Sequence, residues 1–335
     1  MFNGKSILVT GGTGSFGHEC ISQILKAYQP SRLIVFSRDE LKQSEMQQSP
    51  RFHAPCMRYF LGDVRDVDRL MRAFRGVDYV IHAAALKQVP AAEYNPHEFI
   101  KTNIGGATNI VDAAVNCGVA RVIAVSTDKA VNPINLYGAT KLCSDKVFVA
   151  SNSYAGRTGT RFAVVRYGNV IGSRGSVIPV FLRQREHGRI TVTDPRMTRF
   201  LIELSHGVSF VLDCMNRMIG GEIFVPKMPS CSIADIAESM KTGCKVEAIG
   251  RRPGEKMHEV LVSDDDAMNT WELADRFVIA PTHPFWSARA RELGGTRCPD
   301  GFSYASHTNP NQLPLHRVRE ICRKVARDRG FKDDF

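Results

Sequence analysis

No apolar run in the 335 residues reaches the roughly 18 positions that a membrane-spanning helix needs, so no membrane partner is expected. The strand-like Lys5-Ser-Ile-Leu-Val-Thr10 begins almost at the initiator methionine, which leaves no room for a secretory signal. Internal repeats and low-complexity tracts are likewise missing. The nine cysteines, an odd number scattered from Cys20 to Cys322, include no Cys-x-x-Cys pair. That pattern argues against zinc or a redox disulfide and for reduced thiols in a cytoplasmic protein, so no metal site is expected. Acidic residues are outnumbered, 34 Asp and Glu against 44 Lys and Arg, for a net charge of +10. The surplus is spread along the chain, and its densest group, Arg317 to Arg329, reads as the solvated face of a final helix rather than as a nucleic-acid surface. Anionic small molecules would account for part of the excess.

What is present is the composition of an ordinary globular protein, 43% hydrophobic and 23% charged. The first half alternates strand-like runs with helix-like spacers: Ile7 to Thr10, Arg32 to Phe36, Met57 to Phe60, Asp78 to Ile81, Arg121 to Ser126 and Phe162 to Arg166. Short apolar runs separated in this way predict an α/β fold, a Rossmann-type doubly wound parallel sheet with both faces covered. After Gly168 the rhythm changes: glycine, proline and arginine become frequent, with helix-like segments at Leu204 to Met218 and Ile233 to Met240. The expected division is residues 1–168 for the sheet and 169–335 mainly for a smaller, substrate-binding C-terminal lobe, with the chain free to cross back to the sheet.

Gly11-Gly-Thr13-Gly14-Ser15-Phe16-Gly17 follows the first strand and opens a helix expected from Ser15 to about Tyr28. Glycines there permit a tight turn, let the backbone approach a pyrophosphate, and seat free helix amides against the anion. At the end of the second strand, where an acid would hold the ribose of NAD, stand Ser37, Arg38 and Asp39, with Lys42 close behind. A hydroxyl and two cations suit a 2′-phosphate, which favours NADP, although Asp39 points the other way. Asp63, followed by Val64, is placed either to bind an adenine amino group or simply to cap a helix.

Tyr137-Gly-Ala-Thr-Lys141 has the Tyr-x-x-x-Lys spacing that puts a phenol and an amine on one helix face. A phenol near its ordinary pKa of about 10 is a poor base at neutral pH unless a cation favours the phenolate. Together with the glycine turn, Asp63-Val64, the run Ala83-Ala-Ala85 and Asn103, this motif resembles the extended short-chain dehydrogenase/reductase family across nearly the whole chain. The resemblance implies that Lys141 binds the nicotinamide ribose and lowers the Tyr137 pKa, that Thr127 holds the substrate hydroxyl, and that Ala83 and Lys87 lie along the cofactor.

One stretch narrows the branch. Thr127 is followed by Asp128 and Lys129, an acid and an amine that a plain dehydrogenase or 4-epimerase has no need of, unless they form only an ion pair at a strand end. Asp-Lys at this site is similar to the inverting UDP-N-acetylglucosamine 4,6-dehydratases of pseudaminic acid synthesis, whereas retaining dehydratases carry Asp-Glu. Ser37 to Glu45, Ala83 to Pro90, Arg166 to Ser176, Arg196 to Phe200 and Arg252 to Lys256 strengthen that likeness.

The implied chemistry has Tyr137 take the C4 hydroxyl proton as hydride leaves C4, Lys129 remove the C5 proton, and Asp128 protonate the departing C6 oxygen. Lys129 as a base would need a pKa well below 10.4, which burial beside other cations would supply. The same resemblance places Lys87, Asn169, Arg199, Arg252 and Glu255 around UDP-N-acetylglucosamine, with Arg174 and Thr193 as weaker candidates, and suggests a homo-oligomer. Arg252 and Glu255 also read as a salt bridge between lobes, and His206 and His258 as packing residues. Ser287 to Asn311, which includes Cys298 and follows Trp286, matches no chemistry. The competing readings are a UDP-sugar 4-epimerase, a retaining dehydratase, or a catalytically silent NADP-binding regulator.

Overall fold

A computed structural model describes residues 1–156, 159–173, 175–282 and 294–335. The six expected strands all form, each end within a residue of its expected place: β1 (Ser6–Thr10), β2 (Arg32–Ser37), β3 (Met57–Leu61), β4 (Tyr79–His82), β5 (Arg121–Thr127) and β6 (Arg161–Tyr167). They lie side by side in the order β3-β2-β1-β4-β5-β6, every pair parallel. Order reverses at β1, and in doubly wound sheets the ligand crevice opens at that switch point, beyond the strands' carboxyl ends.

Both faces of the sheet are covered, so the strands are continuous apolar runs rather than alternating ones. Ile7, Leu8, Val9, Leu33, Ile34, Val35, Val122 and Ile123 are all fully buried. Each such side chain contributes roughly 1.5–3 kcal/mol. The first helix, Ser15–Ala27, buries Gly17, Cys20, Ile21 and Ile24, a stripe at helical spacing that packs on the sheet.

The second half crosses back. Ile223–Pro226 adds to β6 in parallel, and Arg276–Ile279, Thr270–Glu272 and Thr296–Arg297 extend the edge antiparallel, which completes a ten-stranded sheet. Thr296–Arg297 and the buried Cys298 belong to the segment that the sequence left without a role. A separate apolar cluster joins the helices Val177–Arg185, Ile233–Met240 and Leu315–Asp328. The basic final helix turns Val318, Cys322, Val325 and Ala326 inward. Its outward cations meet local acids, Lys324 with Glu203 at 3.0 Å and Arg327 with Asp333 at 2.8 Å. Among the described residues no helix is long and apolar enough to cross a membrane.

Candidate active site

A cleft of about 630 Å³ lies over the carboxyl ends of β1, β2, β4 and β5. Its floor is the glycine turn. Gly11 has a φ of +65°, and a Cβ there would come within 2.9 Å of the Ala84 amide nitrogen, so only glycine holds this turn against the loop after β4. The Gly14 amide closes the turn onto the Gly11 carbonyl at 2.9 Å. A Cβ at Gly17 would fall 2.3 Å from the Gly12 oxygen, so this glycine seats the helix on the turn while Thr13, Gly14, Ser15 and Phe16 line the cleft. No side chain caps the helix and no acid stands in its first turn. These residues fit a dinucleotide pyrophosphate.

At the end of β2 the Ser37 hydroxyl bonds the Thr13 hydroxyl at 2.7 Å, and Arg38, more than half exposed, lies 3.5 Å from Asp63. Asp39 caps the helix Glu40–Gln48 by accepting from the Lys42 amide at 3.1 Å, and its carboxylate pairs with the Lys42 ammonium. Asp39 thus has a local structural occupation. Asp63 does not cap a helix, because Asp66 does so for the helix Val67–Ala73. Instead its carboxylate takes two bonds from the Arg65 guanidinium, at 3.0 and 2.8 Å, and lines the cleft beside Val64.

β5 delivers the chemistry. Thr127 ends the strand and its hydroxyl donates to Asp128 Oδ1 at 2.8 Å; the Lys129 ammonium donates to the same oxygen at 3.0 Å. Asp128 is wholly buried and its Oδ2 has no hydrogen-bond partner. The helix Leu136–Ala150, capped by Asn135 through the Gly138 amide at 2.8 Å, brings Tyr137 and Lys141 to the same cleft. Burial pushes the Tyr137 phenol up to about 12, against which the Lys129 ammonium and the Thr127 hydroxyl pull it down. Lys141 is lowered by burial and partly restored by Asp145, and its ammonium donates to the Val125 carbonyl at 2.9 Å. Lys129 is thus a cation that favours the phenolate in this site, and Lys141 is held by the Val125 carbonyl.

Gly138 fixes the distance between helix and turn. A Cβ there would lie 2.2 Å from the Lys129 carbonyl oxygen. Alanine in a helix gains up to about 1 kcal/mol over glycine by propensity, but overpacking against backbone costs about 1–3 kcal/mol. Gly138→Ala is expected to lower the unfolding midpoint in denaturant; an unchanged or raised midpoint would show that the contact relaxes freely.

The expectation of a depressed Lys129 pKa is corrected by the structure. Burial does lower it, but the carboxylates of Asp128 and Glu259 outweigh burial and hold the amine above its ordinary value. Glu259, buried and 3.5 Å from Lys129, was not singled out in the sequence. It stands just past the Arg252 to Lys256 stretch, and only the fold brings it to β5.

The remaining expected residues divide. Lys87 and Asn169 line the cleft; Lys87 is lowered by loss of water around its amine and then by Lys129, and Asn169 keeps a buried Oδ1 with no partner. Ala83 lies against the glycine turn, and Asn103 brackets the Leu86 backbone with bonds of 2.9 Å in both directions, which fixes the loop that carries Lys87. Arg199 does not line the cleft: its guanidinium donates to the carbonyls of Thr198 at 2.8 Å, Lys256 at 3.0 Å and Met257 at 3.1 Å. Thr193 faces Met197 at 3.2 Å. In place of a salt bridge between lobes, the Arg252 amide donates to the Glu255 carboxylate at 3.2 Å within one turn. His258 bonds Thr198 at 2.8 Å and stacks on His307. Arg174 and Trp286 lie outside the described residues.

The comparisons accord with this geometry. The family model for polysaccharide biosynthesis proteins matches residues 7–281. The chain is 54% identical over 329 residues to an inverting UDP-N-acetylglucosamine 4,6-dehydratase of Campylobacter jejuni, covering 96% of this chain and 98% of that protein. It is 42% identical over 330 residues to a UDP-glucose 4-epimerase of Rickettsia canadensis, covering 96% of each. Among solved structures, Pen from Bacillus thuringiensis superposes with a TM-score of 0.87 at 38% identity over 96% of this chain and 97% of that one. The chain belongs to the polysaccharide biosynthesis protein family, built on the extended short-chain dehydrogenase/reductase fold.

Proposed function

We propose that this chain is an inverting UDP-N-acetylglucosamine 4,6-dehydratase that uses NADP. The observation that carries the reading is the Asp128–Lys129 pair, 3.0 Å apart at the end of β5: Lys129 lines the same cleft as Tyr137, and Asp128 is wholly buried against that lysine. Removing water across C5 and C6 of a 4-keto sugar needs an acid and a base at once, and a 4-epimerase needs neither. The likeness at 54% identity supports the substrate class. Ser37, Arg38 and Lys42 at the end of β2 favour the 2′-phosphate of NADP, since Asp39 is occupied as a helix cap. Nine unpaired thiols suit the reducing cytoplasm.

A nicotinamide dinucleotide held along the glycine turn and the cleft beside Tyr137 and Lys141 would supply the hydride acceptor for C4 and the hydride donor for C6. Tyr137 takes the C4 hydroxyl proton; Lys129 takes the C5 proton, Asp128 protonates the C6 oxygen, and water leaves. Reprotonation of C5 from the opposite face completes the inversion. Lys129 need not be neutral in the resting site for this to work. One proton moved along the 3.0 Å hydrogen bond from Lys129 to Asp128 turns the ion pair into amine and carboxylic acid without exchange with solvent. We also propose that Asn169 and Lys87 face the sugar nucleotide.

The test is proton NMR in deuterated water with UDP-N-acetylglucosamine and either NADP⁺ or NAD⁺. A C6 methyl signal, deuterium at C5 and couplings of an inverted C5 are expected, at lower cofactor concentration with NADP⁺. Change confined to C4 would overturn the dehydratase in favour of the epimerase that the Rickettsia relative represents.

A further inference from the structure

We propose that Glu259 is a positioning residue for proton transfer: its carboxylate, brought from the C-terminal half, fixes the Lys129 amine against Asp128 and sets the pH range in which that pair works. The inference rests on the dehydratase reading of the cleft.

Glu259 is 2% exposed, and its Oε1 lies 3.5 Å from Lys129 Nζ and 3.7 Å from Arg199 Nε. It does not line the cleft, and the cleft side chain it meets is Lys129, so its route to the reaction runs through that amine. Its backbone is clamped on both sides by Ser306: the Glu259 amide donates to the Ser306 hydroxyl at 2.9 Å, and the Ser306 amide to the Glu259 carbonyl at 2.8 Å. Arg199, itself held by three carbonyls, approaches the same Oε1 as Lys129 and so fixes the carboxylate beside the amine. Its Oε2 is buried with no hydrogen-bond partner. A carboxylate buried this deeply is costly unless paired, and Lys129 and Arg199 are the cations it meets within 4 Å among the described residues. The same stretch holds Lys256, whose ammonium donates to the Val131 carbonyl just after the catalytic turn.

The direction of the effect follows from the charges around Lys129. Asp128 and Glu259 favour its protonated form, while Arg199 and burial oppose it. Lys87 and Lys256 add two further cations, each lowered by burial and in part by Lys129, and the Tyr137 phenol also faces the Lys129 charge. The Asp128–Lys129 pair works with one shared proton; a second proton on the acid side, or loss of the last on the alkaline side, stops it. Such a pair gives a bell-shaped profile whose limbs belong to the pair as a whole. Removing the Glu259 charge makes every proton on the pair harder to hold. Both limbs must then move to lower pH.

The measurement is kcat against pH for C5 deuterium incorporation and methyl formation in wild type, Glu259→Gln and Glu259→Asp. Glutamine keeps the shape and removes the charge; a shift of both limbs downward by about one pH unit or more is expected from Coulomb interaction at this range. Aspartate keeps the charge but draws it back by one carbon, so a smaller shift in the same direction is expected. A purely structural Glu259 would lower the rate at every pH and leave the inflections where they are, and that result in either variant would overturn the inference. Absence of product from the wild-type enzyme would remove the dehydratase reading, and this inference with it.

Discussion

Tyr137→Phe is expected to lower kcat on the order of 10² to 10⁴-fold while KM and the unfolding midpoint stay close to wild type. The phenol lies at the start of the helix Leu136–Ala150, 8% exposed, with its ring packed in a small apolar cluster with Ala92 and Phe99. Phenylalanine retains that packing, so what is removed is the oxygen that we propose receives the C4 hydroxyl proton. An interaction made chiefly in the transition state lowers kcat and kcat/KM together. Single-turnover absorbance of the reduced nicotinamide isolates this step, since the oxidation at C4 precedes the loss of water. Retention of more than a tenth of the wild-type rate would mean that another group takes the proton. A pH dependence should accompany the wild-type rate. With the phenol held up to about 12 by burial, the fraction ready to accept a proton grows as pH rises toward that value, and oxidation should quicken in that direction.

Much of this site could be read along the chain because its signals are local. The glycines from Gly11 to Gly17 report a turn whose backbone contacts admit no Cβ at Gly11 or Gly17, and the four-residue spacing of Tyr137 and Lys141 is a helix face. The parallel strands were legible for a similar reason, since strands covered on both faces become unbroken apolar runs. Charge at the site was not legible. Lys129 looked like an amine depressed by neighbouring cations, and the carboxylate that reverses this, Glu259, arrives from the far half of the chain through a loop. The surroundings of Arg199 were hidden in the same way: the resemblance sets it around the sugar nucleotide, and the fold shows three backbone carbonyls and Glu259 engaging its guanidinium. Residue type told what each group could do, and only the fold told what it already touches.

Lys129→Met should abolish C5 exchange and methyl formation, a loss on the order of 10³-fold or more, the size of a missing general base. Methionine keeps the length of the stem and removes the amine, which leaves Asp128 with the Thr127 hydroxyl alone. A wholly buried carboxylate stripped of its ammonium costs stability, and breaking a fully buried pair costs 3–5 kcal/mol. Here the lysine side chain is 26% exposed, so about 1–3 kcal/mol is the expected loss in chemical denaturation. The substitution also reaches the first half-reaction. Lys129 is the cation that pulls the Tyr137 phenol down, so its removal makes the phenolate harder to form, and oxidation at C4 should slow without stopping. Dehydration and oxidation thus fall by unequal factors, dehydration by far the more. A 4-epimerase would show the opposite pattern, with turnover at C4 limited only by the weakened tyrosine and no C5 exchange in wild type to lose. If Lys129→Met kept wild-type C5 exchange, the pair with Asp128 would revert to an ion pair at a strand end, and the base would have to be sought among Lys87 and Lys141, the other cleft amines lowered by burial.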